Sequence, residues 1–264
     1  MGKDLNAILR SVEILSREIG DWMRLQKISA SDIEFKSLNN LVSYVDKEAE
    51  KRFVERLSQL LPEAGFIAEE GSGSYANEEY AWVIDPLDGT TNFIHGIPIW
   101  CTSVALLRHK TPLVGVIYDP NQGELFSAAQ GQGAWLNGQP IRVSSTTSLA
   151  ASLLATGFPY DDFGRQKAYM LLLEDLCQSS RGIRRIGSAA VDLAWTACGR
   201  FEAFYEYGLN PWDVAAGALI VEEAGGTVTG FSADANPIFG EEILATNGRI
   251  HQVLHEKISY FFKG

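Results

Sequence analysis

From Ala81 to Phe93 the chain reads Ala-Trp-Val-Ile-Asp-Pro-Leu-Asp-Gly-Thr-Thr-Asn-Phe, an apolar run that stops at two carboxylates across a proline. Ala81 to Ile84 predicts a short buried strand. Pro86 fixes its own φ and drives Asp85 out of helical geometry, so the strand is expected to end there in a bend. Gly89 lets the backbone come close to a ligand. Thr90, Thr91 and Asn92 add hydroxyl, amide and N–H groups suited to a helix start or an anion. Two hard anionic ligands beside such a cradle suit a divalent cation that binds a phosphorylated substrate. Taken alone, the same residues describe equally well a turn whose aspartates cap the chain and face water.

The chain of 264 residues has ample length for a sizeable core and could hold one large domain or two small ones; the expectation is a single domain, residues 1–264, in two halves, 1–140 and 141–264. A formal charge of −11 argues against non-specific binding to nucleic acid or to an anionic membrane, so neither is expected as a partner. It also means that an anionic substrate would need local cationic help, which bound metal ions supply. Cys101, Cys177 and Cys198 are widely spaced and form no Cys/His metal pattern, which points to reduced thiols in a cytoplasmic setting. The N-terminus has no apolar h-region, so no signal peptide is expected, and no run approaches the length of a bilayer span.

Leu5, Ile8, Leu9, Val12, Leu15, Ile19 and Trp22 recur at helical spacing and predict an amphipathic helix over roughly 3–25. A second helix is expected over 43–60, with Asp46 in its first turn, where the dipole already favours a carboxylate. Lys36, before it, reads as a solvated cation. Gly65 to Ala68 suggests a brief strand ending in Glu69-Glu70; neighbours on a strand face opposite ways, so at most one of the pair need reach a shared site. Cys101–Arg108, Leu113–Tyr118 and Glu124–Ala129 predict an antiparallel meander, and the polar stretch 136–150 a seam between the halves. His95 and His109 have no partners at metal-binding spacing.

Later, Ala151–Gly157 reads as a strand and Gln166–Gln178 as a helix. Ser188–Cys198 forms a helix with Ser188 as N-cap, and Arg184, Arg185 and Gly187 stand at its mouth. Phe201–Glu206 reads as a strand. Asn210, Pro211 and Asp213 fall at the N-cap, N1 and N3 positions of a helix ending at Gly225-Gly226. Thr227–Thr229 and Ile243–Thr246 are further strands, and Ile250–Phe262 a closing helix. Helices, then a meander, then a mixed half describe an α+β layered protein rather than a doubly wound one. With no Gly-x-Gly-x-x-Gly and no Walker loop, neither a dinucleotide fold nor a P-loop enzyme is expected.

Four segments in order resemble the inositol monophosphatase family of Mg²⁺-dependent, lithium-sensitive phosphatases. They are Glu69-Glu70, Asp85 to Phe93, Gly182-Ile183-Arg184 with Gly187-Ser188-Ala189-Ala190, and Trp212 to Gly217 continuing to Gly226. The order and spacing run from about Lys36 to the last helix. Gly208-Leu209-Asn210-Pro211 looks like the bacterial type of the family. The resemblance implies a layered α-β-α-β-α sandwich of the sugar-phosphatase type and a homodimer. It implies that Glu69, Asp85, the Leu87 carbonyl, Asp88 and Asp213 hold two or three Mg²⁺ ions. Glu69 and Thr90 would orient the attacking water, with Asp46 hydrogen-bonded to Thr90, in a direct in-line hydrolysis without a phosphoenzyme. Phosphate oxygens are expected on the N–H groups of Gly89 and Thr90. Ser188, Ala189 and Glu206 match positions that meet the hydroxyls of a polyol, and Asp88, Gly187 and Asp213 complete the substrate set. The expected function is inositol-1-phosphate hydrolysis. Its alternatives are the same chemistry on 3′-phosphoadenosine 5′-phosphate, histidinol phosphate or fructose 1,6-bisphosphate, or a regulatory binding protein of RNA-synthesis machinery. In relatives Arg184's segment contributes to dimer contacts.

Overall fold

The computed structural model of the protein describes residues 3–27, 33–35, 41–159, 163–232 and 235–262; Lys36 lies outside them. Two helices come first, α1 (Leu5–Arg24) and, after the short strands β1 (Ile33–Phe35) and β2 (Leu41–Ser43), α2 (Tyr44–Leu60). The Asp4 side chain accepts from Ala7 N–H to start α1, and Ser43 caps α2. The stripe read from sequence is the buried face of α1: Ile8, Leu9, Val12, Leu15 and Ile19.

A large sheet follows, ordered β3 (Gly65–Ala68), β4 (Tyr80–Asp88), β5 (Cys101–Arg108), β6 (Thr111–Asp119), β7 (Glu124–Ala129), β8 (Ala134–Leu136) and β9 (Gln139–Ile141). Only the β3–β4 pair is parallel; every other pair is antiparallel. The meander therefore runs two short strands further than the sequence suggests, and the seam is narrower than 136–150. Strands of three residues carry too little alternation to register as a pattern.

The sheet alternates between two cores. Trp82, Ile84, Val104, Leu106, Val114 and Val116 pack against α1 and α2, whereas Val83, Ala105, Leu107 and Ile117 face the opposite way. On that opposite side lie α5 (Ala189–Ala197) and α6 (Pro211–Glu223). Val214 to Val221 of α6 are all buried, because the helix is covered on both sides. A second sheet closes over them, ordered β11 (Gly182–Arg184), β10 (Leu153–Thr156), β12 (Ala203–Tyr207), β14 (Glu242–Thr246) and β13 (Thr227–Thr229). Its outer face, Leu154, Ala203, Tyr205 and Leu244, meets Leu172 and Leu176 of α4 (Gln166–Ser179) and Leu254 and Ile258 of α7 (His251–Phe262). Helices, sheet, helices, sheet and helices make the α-β-α-β-α sandwich. The cysteines are unpaired, and among the described residues no helix is long and apolar enough to cross a membrane.

One expectation is corrected at the strand that opened the sequence reading. β4 does not end at Asp85; it runs on to Asp88 through a bulge. Asp85 pairs with Ser103 and Asp88 with Cys101, so Pro86 and Leu87 together oppose Thr102. Proline cannot donate to the ladder, which is why the extra residue is tolerated here.

Candidate active site

The bulge has a chemical consequence. On a regular strand, residues three apart face opposite sides. The additional residue resets the alternation: Leu87 turns into the α1/α2 core, and Asp85 and Asp88 both line one open cleft of about 830 Å³, counting its mouth. Because β3 and β4 are parallel, their carboxyl ends arrive together. Glu69 N–H donates to Ile84 O at 3.3 Å just past the end of β3, and Glu69 lines the same cleft.

The beginnings of three helices supply the rest of the wall. Gly89, at φ +98°, turns the chain left-handed into the short helix α3 (Thr90–Ile94), a conformation that a side chain would strain. Ser188 caps α5 by accepting from Val191 N–H and donates its own proton to Asp88 Oδ2 at 2.7 Å; Ala190 N–H donates to the same oxygen at 2.6 Å. At α6, Asp213 Oδ2 accepts from Asn210 N–H at 2.6 Å. Three bonds tie these segments together. Asn92 Nδ2 donates to both Ile99 O and Ile186 O at 2.8 Å, and Ser103 Oγ donates to Trp212 O at 3.2 Å.

Every substrate-side and metal-side position expected from sequence lines this cleft: Glu69, Asp85, Leu87, Asp88, Gly89 and Thr90 on one wall, Gly187, Ser188, Ala189, Glu206 and Asp213 on the other. Asp46 stands behind it. Buried in α2, it accepts the Thr90 hydroxyl at 2.9 Å on Oδ1 and both Ser43 N–H and Ser43 O–H on Oδ2. The Thr90 hydroxyl also lies 3.0 Å from Leu87 O. Sequence reading missed Asp192 and Gly157. Asp192 is 1 % exposed, lines the cleft from the first turn of α5, and its Oδ1 has no hydrogen-bond partner. In sequence it passes for a dipole-complementary acid. A Cβ on Gly157 would meet the Glu206 carboxylate at 2.1 Å, so only glycine leaves that acid its place.

Burial raises these acids above the ordinary carboxylate range. It pushes Asp85 and Asp213 well up, with neighbouring carboxylates adding to the effect, and Asp85 shares a side-chain hydrogen bond with Glu69. Asp88 rises to about 6 for the same reason, held back by the Ser188 and Ala190 donors. Glu206 rises to about 8 through burial, opposed by Arg185, and Asp192 is pushed well up. Among the described residues no three acid, imidazole or thiol groups are already arranged to hold a metal ion. The donor set nevertheless suits Mg²⁺: it is oxygen only, and its carboxyls raise one another's pKa, which a bound cation would reverse.

A pH dependence follows. All these folded pKa values lie above the unfolded ones, so the stability they contribute is fully present below the unfolded carboxylate range. It is lost as pH rises through the folded values, about 6 for Asp88 and about 8 for Glu206. In chelator, the Tm is expected to fall across that window. Added Mg²⁺ should restore it by an increment that grows with pH, since ligation needs deprotonated carboxyls. A Tm in chelator that is flat through the window would contradict this arrangement.

Comparison with known proteins places the site in context. Residues 4–260 match the family model described as the inositol monophosphatase family. The inositol-1-monophosphatase of Synechocystis is 43% identical over 242 residues, 90% of this chain and 82% of that protein. The Nus factor SuhB of Pseudomonas aeruginosa is 40% identical over 256 residues, 95% of this chain and 93% of that one. The solved structure of an inositol monophosphatase from Anabaena superposes with a TM-score of 0.85 at 38% identity, covering 98% of this chain and 97% of that one.

Proposed function

The chain belongs to the inositol monophosphatase family and is a phosphatase, and from that premise we propose that it is a Mg²⁺-dependent inositol-1-phosphate phosphatase working by direct attack of water. The observation that carries the proposal is the single cleft that brings Glu69, Asp85, Asp88 and Asp213 together with Ser188, Ala189 and Glu206. Glu69, Asp85, the Leu87 carbonyl, Asp88 and Asp213 would hold two or three Mg²⁺ ions, which when bound neutralise phosphate and leaving-group charge and acidify the attacking water.

The chain's own groups do the remainder. Thr90 offers its proton toward Asp46 and Leu87 O, so its oxygen can accept a hydrogen from water in the cleft; Asp46 takes up the charge from behind. Glu69, at the end of β3, is the second acceptor for that water. Phosphate oxygens rest on the N–H groups of Gly89 and Thr90, which α3 leaves without intrahelical partners. Across the cleft, Ser188, Ala189 and the Glu206 carboxyl bind the hydroxyls of the departing polyol. Gly157 gives Glu206 the room to do so.

Phosphate release from inositol 1-phosphate tests this. Turnover is expected with Mg²⁺, none in chelator, and suppression by millimolar lithium; turnover that persists in chelator would refute the metal role. The likeness to a Nus factor over 95% of the chain supports a second reading, in which the protein also joins RNA-synthesis machinery. A pull-down that enriches no transcription component counts against it.

A further inference from the structure

Helix α2 carries two buried acids one turn apart, Asp46 and Glu50, on a face otherwise made of Val45, Ala49, Phe53 and Leu57. Asp46 reaches Thr90. Glu50, 1 % exposed, reaches the corner that follows the cleft-lining Glu69, where both its oxygens accept backbone N–H groups. Oε2 takes Glu70 N–H at 2.6 Å and Oε1 takes Ser72 N–H at 2.8 Å. β3 stops pairing with β4 at Ala68, Glu69 N–H reaches Ile84 O only at 3.3 Å, and Gly71 at φ +97° breaks the extended backbone.

We infer that Glu50 is a positioning residue for Glu69. Its carboxylate pins the Glu69–Ser72 corner to α2 by two charge-assisted hydrogen bonds. The same rigid helix fixes Thr90 through Asp46, so α2 sets the separation of the two groups that face the attacking water. The inference rests on the assignment of Glu69 and Thr90 to that water. A buried acid that only braced a loop would add stability and leave the chemical step alone; this one couples the bracing to kcat.

Glu50→Gln is nearly isosteric but turns an NH₂ against one of the two N–H donors. The expected result is a fall in kcat of about a hundredfold, the scale of an ångström-sized misplacement, with KM little changed. In a Glu69→Gln background the same substitution should lower kcat no further, because its effect passes through Glu69. Amide hydrogen exchange at Glu70 and Ser72 should quicken while Phe53 and Leu57 in α2 keep their protection. Glu50→Asp retains the charge one methylene short and should fall between; if Glu50→Gln does not fold, this variant decides by the same cycle. Losses that multiply in the double variant, or full kcat in Glu50→Gln with Glu70 and Ser72 amides freed, would overturn the positioning role. Wild-type kcat in Glu69→Gln alone would instead overturn the assignment of Glu69, and the inference with it.

Discussion

Replacing Asp85 with Asn is expected to abolish phosphate release and to erase the Mg²⁺-dependent rise in Tm. Asp85 is 2 % exposed at the bulge of β4 and shares a hydrogen bond with Glu69, between the two flanks of the carboxylate set. Loss of a group that merely supports a metal ligand costs about ten- to a hundredfold. Loss of a ligand is expected to exceed that, at roughly a thousandfold or more in kcat/KM. Asn keeps the volume and an oxygen for the Leu87 N–H that Asp85 Oδ1 now accepts at 2.9 Å, so the strand should stay intact. Asn also removes a titrating group, so in chelator the variant's stability should be less sensitive to pH than the parent's. A variant that retains both turnover and the Mg²⁺ shift would remove Asp85 from the metal set.

Thr90→Val should separate chemistry from metal binding. Valine matches threonine in shape but leaves Asp46 Oδ1 without the donor it has at 2.9 Å. If Thr90 and Asp46 take up the proton of the attacking water, kcat should fall by about 10²- to 10⁴-fold, the range of general acid–base catalysis. None of the groups expected to hold Mg²⁺ is altered, so the Tm rise on adding Mg²⁺ should survive. KM should change little, because the Gly89 and Thr90 N–H groups remain. Unchanged kcat would reduce the Thr90–Asp46 bond to a structural tie.

The contrast between these two variants reflects what the sequence made legible. α1 was readable because one covered face leaves a periodic stripe, and α6 because Asn210, Pro211 and Asp213 mark its start; its body, buried all round, has no periodicity to read. The bulge at Pro86 and Leu87 was not readable, since it exists only in the pairing of β4 with β5. Nor was the parallel pairing that brings Glu69 beside Asp85. Family motifs named the acids, but the meeting of those acids is a property of topology. Glu50 and Asp192 escaped notice because a lone acid on a helix ordinarily faces water or complements the dipole. A signal for Glu50 was present: 46, 50, 53 and 57 share one helical stripe, and acids at two of those positions break an otherwise apolar face.

The polyol end carries the narrower part of the account. Glu206, buried against Gly157 and raised to about 8, can offer or accept a hydrogen bond with a neutral hydroxyl. A second phosphate in its place would be repelled by Glu206 and Asp192 wherever they ionise, with Arg185 the opposing charge. The measurement that tests the central claim most directly is therefore kcat/KM, with Mg²⁺ and in chelator, for inositol 1-phosphate, 3′-phosphoadenosine 5′-phosphate, histidinol phosphate and fructose 1,6-bisphosphate side by side. The expected result is Mg²⁺-dependent turnover with inositol 1-phosphate preferred. Turnover in chelator, or a clear preference for the nucleotide, would contradict it.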